Sequence, residues 1–151
     1  MFVDIITKAI CGKGKKLSNS LHQVGTQHPI SNLLGCWILN HRFKANRDNQ
    51  SVIVQGTYEI HLWYAYEKDT HTEIAKTSVQ YEDQLTVLIQ NENLISDELD
   101  IHVKFLHQPN CIDTTFKQLG NQVLVKTEHE WLAIIIGETQ LKVEAKDSNE
   151  T

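Results

Sequence analysis

Eight histidines, three cysteines and three tryptophans are the residues of this 151-residue chain with the most chemistry to offer. A metal site needs three or four converging ligands. The histidines at 22, 28, 41, 61, 71, 102, 107 and 129 form neither HxH nor HExxH spacing. Glu59 and His61 share one face of a strand, but two ligands do not hold a metal. The histidines therefore read as structural, and neither metal nor cofactor is expected. Cys11, Cys36 and Cys111 are odd in number and show no CxxC spacing, against both a closed intrachain disulfide framework and structural zinc. A nucleophilic thiol needs a histidine or a helix N-terminus to lower its pKa. Cys36 with His41, or Cys111 with His107, offers neither arrangement. The thiols are expected to be buried and inert, or to join chains in an oxidising shell.

Gly12-Lys13-Gly14-Lys15-Lys16 superficially resembles a phosphate loop. GxxxxGK[ST] requires a glycine where Ala9 stands and a hydroxyl where Lys16 stands, so nucleotide binding is not expected. Glu128-His129-Glu130 is the densest acid/base triplet. Alternation puts His129 on the face opposite both glutamates, and the triplet reads as a solvated edge. No catalytic residue emerges. Trp37 and Trp131 are expected in the core. Trp63 shares its face with Glu59 and His61, and such a tryptophan suits an interface anchor.

These residues depend on the strand that carries them. Val52–Tyr66 sends Val52, Val54, Gly56, Tyr58, Ile60, Leu62, Tyr64 and Tyr66 to one face, while Glu59, His61 and Trp63 go to the other. Around it, Phe2–Ile10 leans towards strand and Leu33–Phe43 reads as a buried strand. Residues 12–32, rich in Gly, Ser and Asn, read as a long loop or arm. Turns fall at Asn46–Asn49 and Lys68–Thr70. Further strands are expected at Thr72–Tyr81, Gln84–Gln90, Ile101–Phe105, Ile112–Lys117 and Gln122–Thr127. Asn91–Glu98 reads as a loop, Pro109-Asn110 as a strand break, and Gln118–Asn121 as a hairpin turn. Trp131–Val143 completes the set, with a bulge or bend at Gly137. About eight strands without a long helix predict an all-β antiparallel sandwich or barrel-like single domain. It would comprise an N-terminal segment and arm (1–32), a β-domain (33–145) and a frayed tail (146–151).

Charge is uneven. Residues 1–50 carry seven basic and two acidic groups, and residues 51–151 carry seven against seventeen. Complementary potentials of this kind suit head-to-tail association of copies. The basic cluster Lys8, Lys13, Lys15 and Lys16 lacks interleaved aromatics, so nucleic acid is not an expected partner. No apolar run approaches the ~20 residues that span a bilayer, and membrane insertion is not expected. The N-terminus places its apolar residues before its lysines, the reverse of a secretory signal.

The segments Asp4–Ala9, Gly12–Lys16, Leu34–His41 (LGCWILNH), Gly56–Tyr66 (GTYEIHLWYAY), Gln108–Cys111 (QPNC) and Trp131–Thr139 (WLAIIIGET) form an ensemble. Together they resemble one family, the spore outer-coat morphogenetic protein CotE of endospore-forming bacilli. Their order and spacing span nearly the whole chain. The resemblance implies a non-enzymatic scaffold made in the mother-cell cytoplasm and then placed on the forespore surface. It implies self-association, recruitment of other coat proteins and, in some species, attachment of the exosporium. Members end in a long acidic tail, whereas Lys146–Thr151 holds two acids in six residues. Self-assembly through the β-domain does not depend on that tail.

Glu59, His61, Trp63, Lys13, Lys15 and Lys16 are thus the expected interaction residues. A second expectation is a small-ligand or carbohydrate-binding sandwich, whose aromatic platform would be Trp63 and Tyr64.

Overall fold

The alternation of Val52–Tyr66 is realised as one strand with Val52, Val54, Tyr58, Ile60, Leu62 and Tyr64 fully or almost fully buried. The computed structural model describes residues 2–48, 50–89 and 94–144. Its elements are β1 (Phe2–Gly25), β2 (Asn32–Asp48), β3 (Ser51–Tyr66), β4 (His71–Thr86), β5 (Leu94–Phe116) and β6 (Gln122–Glu144). They form two antiparallel sheets, ordered β1-β6-β5 and β2-β3-β4. The sheets meet face to face, with β2 beside β5 and β4 beside β1. This is the expected antiparallel sandwich, built, among the described residues, from six long strands rather than about eight short ones.

Each merged strand has a physical reason. Residues 12–25, expected as part of a loop or arm, continue β1 and pair along β6 as far as Gly25 with Gln122. Their inward positions are Gly12, Gly14, Lys16, Ser18, Ser20, His22 and Val24, mostly small or polar, so no apolar alternation appears. The glycines of the phosphate-loop look-alike face inward, and a Cβ there would meet Val87 or Leu85. Thr72–Tyr81 and the first part of Gln84–Gln90 are one strand, β4, because inward Asp83 interrupts the apolar pattern. Gln122–Thr127 and Trp131–Val143 are likewise one strand, β6, interrupted by inward Thr127 and His129. Pro109 does not end β5. It sits in a register irregularity between His107 and Asn110, where its missing N–H is not needed for the ladder.

The bulge expected at Gly137 lies instead on the partner strand: Gly137 pairs regularly with Ala9, and Cys11 is the extra residue between Ile10 and Gly12, facing the Ile135–Ile136 step. β2 runs to Asp48, which pairs with Ser51, so the reversal is tighter than the turn expected over 46–49. Of the loop expected at Asn91–Glu98, β5 already begins at Leu94. Residues 91–93 and the tail at 146–151 lie outside the described residues.

The core has two apolar halves. One gathers Val24, Ile30, Tyr58, Ile60, Leu62, Tyr64, Val79, Val123 and Val125. The other gathers Cys11, Val52, Val54, Val87, Phe105, Trp131, Ala133 and Ile135. Each large apolar side chain removed from water contributes roughly 1.5–3 kcal/mol.

Between the halves lies a polar layer. Tyr58 Oη reaches Thr127 Oγ1 at 2.9 Å and His22 Nε2 at 3.0 Å, and Ser20 bonds with both partners. His129 Nε2 donates to Asp83 Oδ2 at 2.6 Å, and Trp131 Nε1 donates to the same oxygen at 3.0 Å. Burial alone would raise the Asp83 pKa. Hydrogen bonds from His129, Trp131 and Ser18 outweigh it and hold the carboxyl below its ordinary value. His129, expected on a solvated edge, is therefore a buried partner of Asp83. On the opposite seam, His41 Nδ1 donates to Gln108 Oε1 at 2.7 Å, which leaves Nε2 to accept from the Tyr81 hydroxyl at 2.5 Å. A fully bonded layer of this kind fixes how one sheet sits on the other.

Candidate interaction surface

β3 is the central strand of its sheet, so its outward residues are flanked on both sides. Trp63 lies between Gly35 of β2 and Ile74 of β4. His61 lies between Trp37 and Lys76, and Glu59 between Leu39 and Ser78. Gly35 leaves room for its neighbour: a Cβ there would lie 2.8 Å from Cη2 of Trp37. The Trp37 indole folds over that gap beside Trp63, with ring centroids 6.3 Å apart and planes 26° from parallel. Trp37 keeps 47% of its surface exposed and Trp63 38%. Leu39 and Ile74 are also exposed. The result is an apolar strip across three strands, open to solvent.

The strip has a charged margin. β2 carries a bulge between Leu39 and Arg42, where Asn40 takes the left-handed conformation (φ 57°). Asn tolerates this better than most residues. The bulge turns Asn40 outward, where its amide donates to Glu59 Oε2, and leaves His41 for the polar layer. Glu59 also lies 3.4 Å from His61 Nε2. The bond from Asn40, followed by that from His61, keeps the Glu59 pKa below the usual carboxylate value. Beyond this margin a shallow depression is lined by Arg42, Lys44, Gln55, Thr57, Gln80 and Glu82, with Tyr81 and Gly56 at its floor.

The six expected interaction residues do not form one site. Glu59, His61 and Trp63 are together on the outer face of β2-β3-β4. Lys13 and Lys15 are exposed on the outer face of β1-β6-β5, opposite Ile134 and Leu132. Those two faces are the opposite sides of the sandwich. Lys16 is on the inward side of β1, half-buried and paired with Trp131.

Trp131 is in the core as expected, whereas Trp37 is exposed, contrary to expectation. Leu33–Phe43 belongs to an edge strand, so a mostly apolar run left one face in water. Trp37 is the partner that sequence reasoning missed. Its spacing of one on from Cys36 and two before Leu39, opposite His61, carried the signal only once the register was known. Tyr64 cannot join Trp63 in a platform, because it faces the core, where its hydroxyl donates to Glu73 Oε2 at 2.9 Å.

A second exposed apolar region lies at one end. Beyond the contact of Ile135 with the core, Phe2, Val3, Ile5, Ile6 and Ile10 of β1 and Val143 of β6 are exposed. At ~3.4 Å per residue, Phe2–Ile10 extends about 30 Å. β1 is an edge strand, and edges are templates for pairing with another chain.

Among the described residues, no three His, Cys, Asp or Glu side chains gather in a way that could hold a metal ion. No helix there is long and apolar enough to cross a membrane.

The family model of outer spore coat protein E (CotE) matches residues 1–151, and the chain belongs to that family. No curated protein and no solved structure matches it.

Proposed function

We propose that this member of an outer spore coat protein family acts as a non-catalytic scaffold that associates with its own copies. In this reading it is made in the mother-cell cytoplasm and recruits further coat or exosporium proteins once on the forespore. The observation that carries it is the Trp37–Trp63 strip, an apolar surface held open across three strands with Glu59 and His61 at its margin. Tryptophans dominate binding energy where a partner covers them, and their charged margin suits the polar rim of such a contact.

The arrangement of charge favours head-to-tail contact. Lys13 and Lys15 stand on the face opposite Glu59, so one copy cannot bring them together, whereas two copies can. Head-to-tail contacts close into rings or propagate as open arrays, and propagation is what a shell requires. The exposed apolar residues of Phe2–Ile10 in β1 offer a second contact for the same purpose.

Size-exclusion chromatography with light scattering, run from low to high micromolar protein, tests the proposal. Oligomers are expected for the unaltered chain, with a shift towards monomer for Trp37→Ala/Trp63→Ala. A strict monomer at high micromolar concentration would overturn self-association.

A further inference from the structure

Cys36 and Cys111 are 75 residues apart in sequence, on edge strands of different sheets, yet the fold sets them as neighbours across the seam between the sheets. Both are half-buried and rest against the same half of the core. They lie on the seam where β2 runs beside β5 without a backbone ladder. That seam is held by side chains alone: His41 with Gln108 at 2.7 Å, and Phe43 with Phe105, whose ring centroids are 4.7 Å apart. Cys36/Cys111, His41/Gln108 and Phe43/Phe105 follow one another in antiparallel order along it. A covalent bond at the first position would tie the two sheets together along a seam that no backbone ladder joins.

We infer that Cys36 and Cys111 are a built disulfide site, joined within one chain when the protein meets a peroxide-class oxidant. In the first step the thiolate of one cysteine of the pair attacks hydrogen peroxide, giving a sulfenic acid and hydroxide. In the second, the other cysteine attacks that sulfenic sulfur, the S–S bond forms, and water leaves with the attacking thiol's proton. Two thiols are oxidised and one peroxide is reduced, giving two waters in all. Among the described residues Cys11 has no such neighbour. It is buried in the other half of the core, and its S–H points to the carbonyl of Ile135 at 3.4 Å. The odd count of cysteines thus resolves into one pair and one inert thiol, a pairing that spacing along the sequence did not suggest.

The test uses the full chain, reduced, freed of reductant and treated with stoichiometric hydrogen peroxide. Free thiols are then blocked and disulfide-linked peptides mapped by mass spectrometry. The expected result is loss of two of the three free thiols, a Cys36–Cys111 linked peptide from monomeric protein, and a melting temperature raised by roughly 5–15 °C. Cys11→Ser should lose both of its remaining thiols and give the same linked peptide, while Cys36→Ser and Cys111→Ser should each abolish the link. A link joining two chains, a link that includes Cys11, or three thiols still free after treatment would each overturn the inference. The peptide map of the unaltered chain decides the matter even if a variant folds poorly.

Discussion

Tyr81 lies directly across Gly56, its partner on the neighbouring strand: a Cβ on Gly56 would fall 2.3 Å from both Cζ and Oη of the phenol. The ring cannot swing aside freely, because its hydroxyl is bonded to His41 and it contacts the rings of Tyr58 and His129. Gly56→Ala is therefore expected to lower unfolding free energy by about 1–3 kcal/mol through overpacking, read as a fall in the urea midpoint. Tyr81→Phe separates the two contributions. It keeps the ring over the glycine and removes only the hydroxyl, at a cost of about 1–3 kcal/mol for the acceptor left on His41. An unchanged midpoint for Gly56→Ala would mean that the ring is not locked.

The polar layer makes stability depend on pH in two windows. Burial lowers the pKa of His22, and burial, offset in part by Gln108 and reinforced by the nearby His129, lowers that of His41. Their ordinary value is 6.5. Below it the unfolded chain takes up protons before the folded one, so stability falls as pH drops from 6.5 towards the lowered values. Asp83 acts lower: its contribution is present above the unfolded value of 3.8 and is lost as pH falls through its depressed folded value. Urea midpoints at pH 7.5, 5.5 and 3.5 should decline in that order. His22→Gln with His41→Gln should flatten the first interval. A profile flat from pH 7.5 to 5.5 in the unaltered chain would contradict the assignment.

Asp83→Asn isolates the buried pair. Replacing the charged acceptor by a neutral one costs roughly 1–3 kcal/mol, because His129 and Trp131 then donate to a weaker acceptor. The acid window below pH 3.8 should shrink with it. Chemical denaturation at pH 7 reads the first effect, and the slope of stability against pH reads the second.

The same layer decides how much of the fold was legible. Val52–Tyr66 announced its strand because all its inward residues but Gly56 are apolar. β1, β4 and β6 were read short or broken where their inward positions become Ser18, Ser20 and His22, Asp83, and Thr127 and His129. Hydropathy alternation cannot distinguish a polar residue turned into a bonded interior layer from one turned to water. The contact face was legible in part. Glu59, His61 and Trp63 follow from parity along one strand. The placement of Trp37 beside Trp63, and the separation of Lys13 and Lys15 onto the far side, follow only from pairing between strands.

Leu119 gives a test of local backbone conformation. It has φ 60° in the reversal between β5 and β6, held there by its N–H to Ile30 O at 2.8 Å, and its side chain is largely in solvent. A left-handed conformation costs a non-glycine residue roughly 1–2 kcal/mol. Glycine escapes that cost but loses more entropy on folding. Leu119→Gly is expected to raise stability by about 0.5–1 kcal/mol, seen as a rise of a few degrees in melting temperature. A fall would show that the leucine side chain is held by a contact that outweighs its strain.

Head-to-tail association makes a prediction that symmetric association does not. If the Trp37–Trp63 face of one copy meets the Lys13–Lys15 face of the next, a chain altered on either face keeps one competent surface. Lys13→Glu/Lys15→Glu and Trp37→Ala/Trp63→Ala should each be largely monomeric alone. Mixed in equal amounts, they should form a one-to-one complex, because the intact tryptophan face of the first meets the intact lysine face of the second. A face that pairs with its own copy would not be rescued in this way. Raising salt from 50 to 500 mM should weaken the mixed complex, since exposed charges are screened within about 10 Å at 0.1 M. Light scattering of the two variants, separately and mixed, decides between the geometries. Two monomers that stay monomeric on mixing would remove the head-to-tail arrangement.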